Sequence, residues 1–193
     1  SQRRALEPRG CPGVEPAERG GCAARERRTA MIAKTMEQAL NKHLKEEMYS
    51  FYLYLSMSAY LEGLNFKGIA SWMRVQAQEE MNHAMKFFDF LHERGGGVTL
   101  LALEQPQATW ASVLAAFKAA YAHERSITKK IHALVDKATT EKDHATANFL
   151  QWFVKEQVEE EATADTIVKR LEAVGDSPGA LYYLDHELGK RGK

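Results

Sequence analysis

From Thr35 onward, apolar residues recur at intervals of three and four along almost the whole chain, while glycine and proline fall only at a few places between the runs. A period near 3.6 puts those residues on one face of an α-helix, so each run is an amphipathic helix that must bury its stripe against another. The breaks predict five helices. The first runs from Thr35 to about Glu62 and ends at Gly63; the second runs from about Asn65 to Arg94 and stops at Gly95, Gly96 and Gly97. A third spans about Thr109 to Lys137, a fourth about Glu141 to Val174 before Gly175, and a short fifth Pro178 to Leu188. Thr109 is a candidate cap, and Ser177 followed by Pro178 is a start signal. No segment alternates with the period of two that a strand requires. The fold class is therefore all-α, a four-helix bundle with a short fifth C-terminal helix.

Connection lengths predict the topology. Helices one and two, like three and four, are separated by only a few residues, so each pair is an antiparallel hairpin. Gly95 to Ala108 is longer, and its 14 residues reach about 46 Å when extended, enough to run back along a 27-residue helix of about 40 Å. One long crossover between helices two and three is the expected result.

Each stripe breaks its apolar rule near its middle. In the first helix the stripe is Leu40, Leu44, Glu47, Phe51, Tyr54, Ser58 and Leu61; in the second, Ile69, Met73, Gln76, Glu80, His83, Phe87 and Phe90. The third carries Val113, Phe117, Ala120, Glu124, Ile127, Ile131 and Leu134, and the fourth Leu150, Phe153, Gln157, Glu160, Ala164, Ile167 and Leu171. The breakers, Glu47, Glu80 with His83, Glu124, and Gln157 with Glu160, lie at similar distances from their helix ends and should meet inside the bundle. One acid on an apolar stripe usually snorkels to the rim; four at one height do not arise independently. An unpartnered carboxylate taken out of water costs several kcal/mol, against a whole-domain stability of about 5 to 15 kcal/mol. No Lys or Arg occupies any of the four stripes, so the charge must be removed by protons or balanced by bound cations. Four carboxylates balance two divalent ions, neutral His83 and Gln157 add uncharged ligands, and the i, i+3 spacing lets Glu80 and His83 grip one ion. Oxygen-rich ligands with one imidazole suit iron or manganese rather than copper or a structural zinc. Spacing alone leaves those two metals open.

The charge total hides an asymmetry. The 193-residue chain is formally neutral, with 26 basic and 26 acidic side chains, but its first 30 residues hold 7 Arg, 4 Glu, three of the five prolines and both cysteines, Cys11 and Cys22. Residues 31–193 are left with 19 basic and 22 acidic side chains and no cysteine. Residues 1–30 are too poor in apolar residues to fold and fit neither a signal peptide nor an organellar transit peptide. They are expected to be a disordered extension, or an artefact of reading upstream of a start at Met31. The longest uncharged run, Met48 to Leu61, has 14 residues, short of the roughly 18 to 20 of a bilayer span. Without a basic excess, a nucleic-acid partner is not expected. A cysteine-free folded region suits a reducing, cytoplasmic setting.

Residues 31–193 resemble a bacterial-type non-haem ferritin along their whole length. The resemblance rests on Glu47-Met-Tyr-Ser, Gln78-Glu-Glu-Met-Asn-His83, His123-Glu124, the block from Asn148 to Glu160 with Gln157-Val-Glu-Glu160, and Leu181-Tyr-Tyr-Leu-Asp185. It implies the ferritin-like bundle with its crossover, a ferroxidase that oxidises Fe(II) with O2 or H2O2, and a homo-oligomeric hollow shell of 24 subunits storing a ferric oxyhydroxide mineral. It further implies a first iron site of Glu47, Glu80 and His83, with Glu80 bridging to a second of Glu124 and Glu160 and Gln157 close by. Glu79, Glu156 and Glu159 take the place of a third, weaker iron site, although such an acidic run is ordinarily a solvated face. Tyr54 takes the place of a tyrosine beside the centre, where it hydrogen-bonds a ligand or gives up an electron.

Other readings are available. A bacterioferritin would add haem, for which Met81 is a possible axial ligand, but it resembles a pattern with a second Glu-x-x-His where this chain has Gln157-x-x-Glu160; no haem is expected. A rubrerythrin-type peroxidase would want a further domain with four cysteines. A cage subunit that stores mineral without oxidising iron should have lost ligands, and a mini-ferritin would place its ligands at a dimer interface.

Overall fold

The computed structural model describes residues 31–175 and 177–191. The expected extension at 1–30, with Cys11 and Cys22, lies outside the described residues. Five helices follow one another: α1 (Lys34–Gly63), α2 (Lys67–Glu93), α3 (Val113–Thr140), α4 (His144–Val174) and α5 (Pro178–Leu188). Among the described residues there is no strand, and no helix is long and apolar enough to cross a membrane.

The four long helices form two hairpins, α1 with α2 and α3 with α4, joined side by side through α1 and α3, with α5 lying mainly against α2. Each hairpin turns through three residues, with the backbone left-handed at Asn65 (φ 63°) and Lys142 (φ 56°). Asp143 caps α4 by accepting from the Thr146 N–H at 3.1 Å, and Arg94 at the end of α2 donates to the same Asp143 oxygen at 2.9 Å. That ion pair ties the start of the crossover to the second hairpin. Further along, Asn41 of α1 donates to the Gly97 carbonyl at 2.9 Å and accepts from the Thr99 N–H at 2.6 Å, clamping the extended chain to the bundle side.

Two expectations need correction. The third helix starts at Val113, not near Thr109, because Trp110 is buried in extended chain with its carbonyl taken by the Tyr60 hydroxyl at 2.6 Å. Ser112, not Thr109, is the cap: its Oγ accepts from the Ala115 N–H at 3.0 Å. Within α1, Phe51 is only half-buried, whereas Leu53 and Met57 are buried, because close packing on α2 widens the covered face beyond a single stripe. Every predicted stripe position of α2, α3 and α4 is buried.

The core has two apolar layers. One, towards the α1–α2 turn, contains Met57, Leu61, Ile69, Met73, Phe117 and Ile167. The other contains Met36, Leu40, Leu44, Phe87, Ile131 and Phe153. On each helix the acidic positions fall in sequence between these two sets, so a polar layer sits mid-bundle and walled from water at both ends.

Candidate metal centre

Glu47, Glu80, His83, Glu124, Gln157 and Glu160 are all buried, the most exposed being Glu160 at 8%. Apolar packing on both sides of the layer leaves no alternative direction for these side chains, so the helical spacing translates directly into a shared interior site.

Glu47, Glu80 and His83 bring ligand atoms to within 4.8 Å of one another. His83 Nδ1 lies 3.5 Å from Glu80 Oε2 and 3.9 Å from Glu47 Oε2. The imidazole is held edge-on by Trp152 and Phe153, with ring centroids at 5.4 and 5.9 Å. Glu47 Oε2 is buried with no hydrogen-bond partner. An orphaned carboxylate oxygen beside an imidazole nitrogen and a second carboxylate is a donor set that fits a cation.

Across the layer, Glu124 accepts from the Tyr54 hydroxyl, and its second oxygen from Gln157 Nε2 at 3.2 Å. The same amide donates to the Glu124 backbone carbonyl at 3.2 Å, fixing α4 against α3. Tyr54, expected beside the centre, is thus joined to Glu124 by a hydrogen bond. Burial and the charges around it hold the Tyr54 phenol well above the ordinary tyrosine range, so it is a proton donor at any physiological pH.

The carboxyls titrate unequally. Burial pushes Glu124 up to about 8, with the Glu80 charge adding to it, and Glu160 up to about 7, with the Glu124 charge adding. Glu80 is raised well above the usual carboxylate range by burial and by Glu47 and Glu160. Glu47 is the exception: burial acts upward, but the His43 hydrogen bond and the charge interactions with His43 and His83 outweigh it and hold the group low. Three of the four buried acids are thus held towards their protonated forms and Glu47 towards its ionised one.

Known proteins share this fold. Residues 37–174 match the family description "Ferritin-like domain". The bacterial non-heme ferritin of Bacteroides fragilis is 43% identical over 161 residues, covering 83% of this chain and all of that protein. The chain belongs to the ferritin family. The bacterial non-heme ferritin of Staphylococcus aureus is 35% identical, covering 83% of this chain and 97% of its own length. Among solved structures, an open pore ferritin from the archaeon Archaeoglobus fulgidus superposes with a TM-score of 0.82 at 54% identity, over 83% of this chain and 99% of that one. Its fold is the four-helix bundle derived above, and iron storage is the role of the family.

Three residues that sequence reasoning left without a role surround the centre of this ferritin. His43 is buried, with Nε2 2.8 Å from Glu47 Oε1 and its ring 4.7 Å from that of Phe87. It lies one helical turn before Glu47, so the spacing alone could have found it. Gln76, placed on the α2 stripe without a function, donates to Glu80 Oε1 and Glu160 Oε2, both at 2.8 Å. Arg191 reaches Gln76 from beyond α5, and nothing in the sequence signals that.

The three flanking acids do not converge. Glu156 joins His83 and Glu160 as a second group with ligand atoms within 4.8 Å. Glu79 is paired with Arg191, and Glu159 is 65% exposed with Lys155 at 3.9 Å.

Proposed function

We propose that each chain is a ferroxidase that takes two Fe(II) ions as substrate, one held by Glu47, Glu80 and His83 and one by Glu124 and Glu160, with Glu80 between them. Gln157 and Tyr54 position Glu124 rather than bind metal. The observation that carries this reading is the buried set of four carboxylates and one imidazole, in which burial and neighbouring acids push three of the carboxyls above the usual carboxylate range. Two divalent ions neutralise it where one would not. Each Fe(II) gives up one electron; O2 takes two electrons and two protons to become H2O2, or H2O2 takes two of each to become two waters. Excluding bulk water and fixing the two ions in one layer lets both electrons go to one oxidant.

The ferric product is stored as an oxyhydroxide mineral inside a hollow shell of like chains, 24 by family resemblance. The exposed apolar residues Tyr52 and Leu55 on α1 and Leu100, Leu101 and Leu103 on the crossover support assembly, since such a surface on an isolated bundle would face water. The cysteine-free bundle suits a reducing cytoplasm. A third iron position is supported through Glu156 alone, which already reaches His83 and Glu160.

The test is to add excess Fe(II) in air to the metal-free protein and measure soluble iron retained per chain alongside particle size. Retention far above two ions per chain in a particle much larger than one bundle is expected. Retention of only about two ions would instead describe a di-iron enzyme without storage, and a visible haem band in the purified protein would transfer it to the haem-binding relatives.

A further inference from the structure

Glu47 and Glu80 are presented in the same way. Each has one oxygen held from outside the centre, Glu47 Oε1 by His43 and Glu80 Oε1 by Gln76, and turns the other towards His83. Gln76 also holds one oxygen of Glu160, so a single amide ties an acid of α2 to an acid of α4. An amide has donors on one side and an acceptor on the other, and it serves this purpose only with its NH2 turned to the carboxylates. The contact that decides its orientation is Arg191, whose Nη1 donates to Gln76 Oε1 at 2.8 Å while Nη2 donates to Glu79. A guanidinium has no acceptor, so the amide oxygen must face it and the amide nitrogen must face Glu80 and Glu160.

The fold delivers this arginine by a close crossing. Asp185 of α5 accepts from the Ile69 N–H at 2.8 Å, near the start of α2. Gly68 and Gly189 meet at that crossing: a Cβ on Gly68 would lie 1.9 Å from the Asp185 carbonyl oxygen, and one on Gly189 2.8 Å from the Gly68 Cα. With both side chains missing, the turn after α5 comes down on α2, and the Arg191 guanidinium lies over the Trp72 ring, 4.4 Å from its centroid.

We propose that Arg191 is a positioning residue for the metal centre: by fixing the Gln76 amide it holds one oxygen each of Glu80 and Glu160, leaving the other free for metal. The inference rests on the two-metal reading above and assigns its outer support to the C-terminal end of the chain.

Co(II) titrated into the metal-free full-length protein, followed by calorimetry and visible absorption, tests it. Arg191→Ala is expected to weaken Co(II) binding about tenfold, the effect typical of losing an outer hydrogen bond at a metal site, and to alter the Co(II) absorption band. Arg191→Lys, which can still donate to Gln76, should recover most of that affinity. In a Gln76→Met background, Arg191→Ala should cause no further loss. The proposal is overturned if Arg191→Ala binds Co(II) like the wild type, if Arg191→Lys is no better than Arg191→Ala, or if the loss persists undiminished without Gln76. An arginine that merely pins α5 would lower the thermal midpoint and leave the Co(II) band alone. If the wild type itself fails to take up two Co(II) per chain, the two-metal reading falls, whatever Arg191 does.

Discussion

The two halves of the centre are built from the same fold element, a helical hairpin carrying buried acids, yet they are prepared differently for a cation. The α1–α2 half has two imidazoles, an acid held ionised by His43, and an oxygen of Glu47 left without a partner. In the α3–α4 half the half-buried imidazole, His123, lies 2.7 Å from the Ser50 hydroxyl rather than against an acid; the acids are satisfied by Tyr54, Gln157 and Gln76 and hold protons up to about 8 and 7. The first half offers one acid already ionised at neutral pH, Glu47, whereas every other acid of the centre, Glu80 included, must first release a proton. The imidazoles beside Glu47 outweigh its burial, whereas in the second half burial and the charge of neighbouring acids outweigh hydrogen bonds that act downward.

Removing the residue the halves share should have the largest effect. Glu80→Ala is expected to lower the initial rate of Fe(II) oxidation by roughly a hundredfold, about 2.7 kcal/mol of lost transition-state stabilisation. Stopped-flow absorbance in air measures it, and an unchanged rate would leave a storage subunit without ferroxidase chemistry.

Titration of the second half should be next. Glu124 and Glu160 have folded pKa values above the ordinary carboxylate value of 4.5, so the folded metal-free protein binds more protons than the unfolded chain between about 4.5 and 8. Stability therefore falls as pH rises through that window, with Glu80 adding to the fall and His123, which burial lowers from 6.5 to about 4, opposing it in the acid part. Glu47, held low, acts oppositely and weakens the fold only as pH drops below its ordinary range. Scanning calorimetry of the metal-free protein should show the thermal midpoint declining from pH 5 to pH 8, with Glu124→Gln flattening part of the slope and Glu80 and Glu160 carrying the rest. A slope as steep in Glu124→Gln as in the wild type would place the bound protons elsewhere.

A smaller change should bring the first half closer to the second. His43→Leu leaves Glu47 Oε1 without its partner, so Glu47 should lose its readiness to ionise and the first cation should bind about tenfold more weakly. Competition of Co(II) with a chelator reads that affinity at each pH, and the loss should shrink as pH rises.

Much of this was legible in the sequence because burial on a helix is periodic. Glu80 and His83 could be paired from their spacing of three, and Glu124 could be set opposite them from its place mid-stripe, since a bundle of equal helices brings equal heights together. Phe51 misled because the same periodicity does not say how wide the covered face is. Thr109 misled because a capping residue type recurs at Ser112, and only the burial of Trp110 in extended chain decides between them. His43 was within reach of the method, one turn before Glu47 on the same face, but a histidine on a core stripe carries no mark of what it touches.

The sequence by itself determined the all-helical bundle and the six residues of the polar layer, which follow from spacing along each helix, and the one crossover, which follows from the length of the link after α2. The tertiary structure alone decided which oxygen of each acid is tied and which is open, which acids keep their protons, and that Arg191 belongs to the centre. Those properties depend on distances between elements far apart in the chain. The link between Arg191 and Gln76, 115 residues apart, rests on two glycines whose missing side chains let α5 and α2 touch.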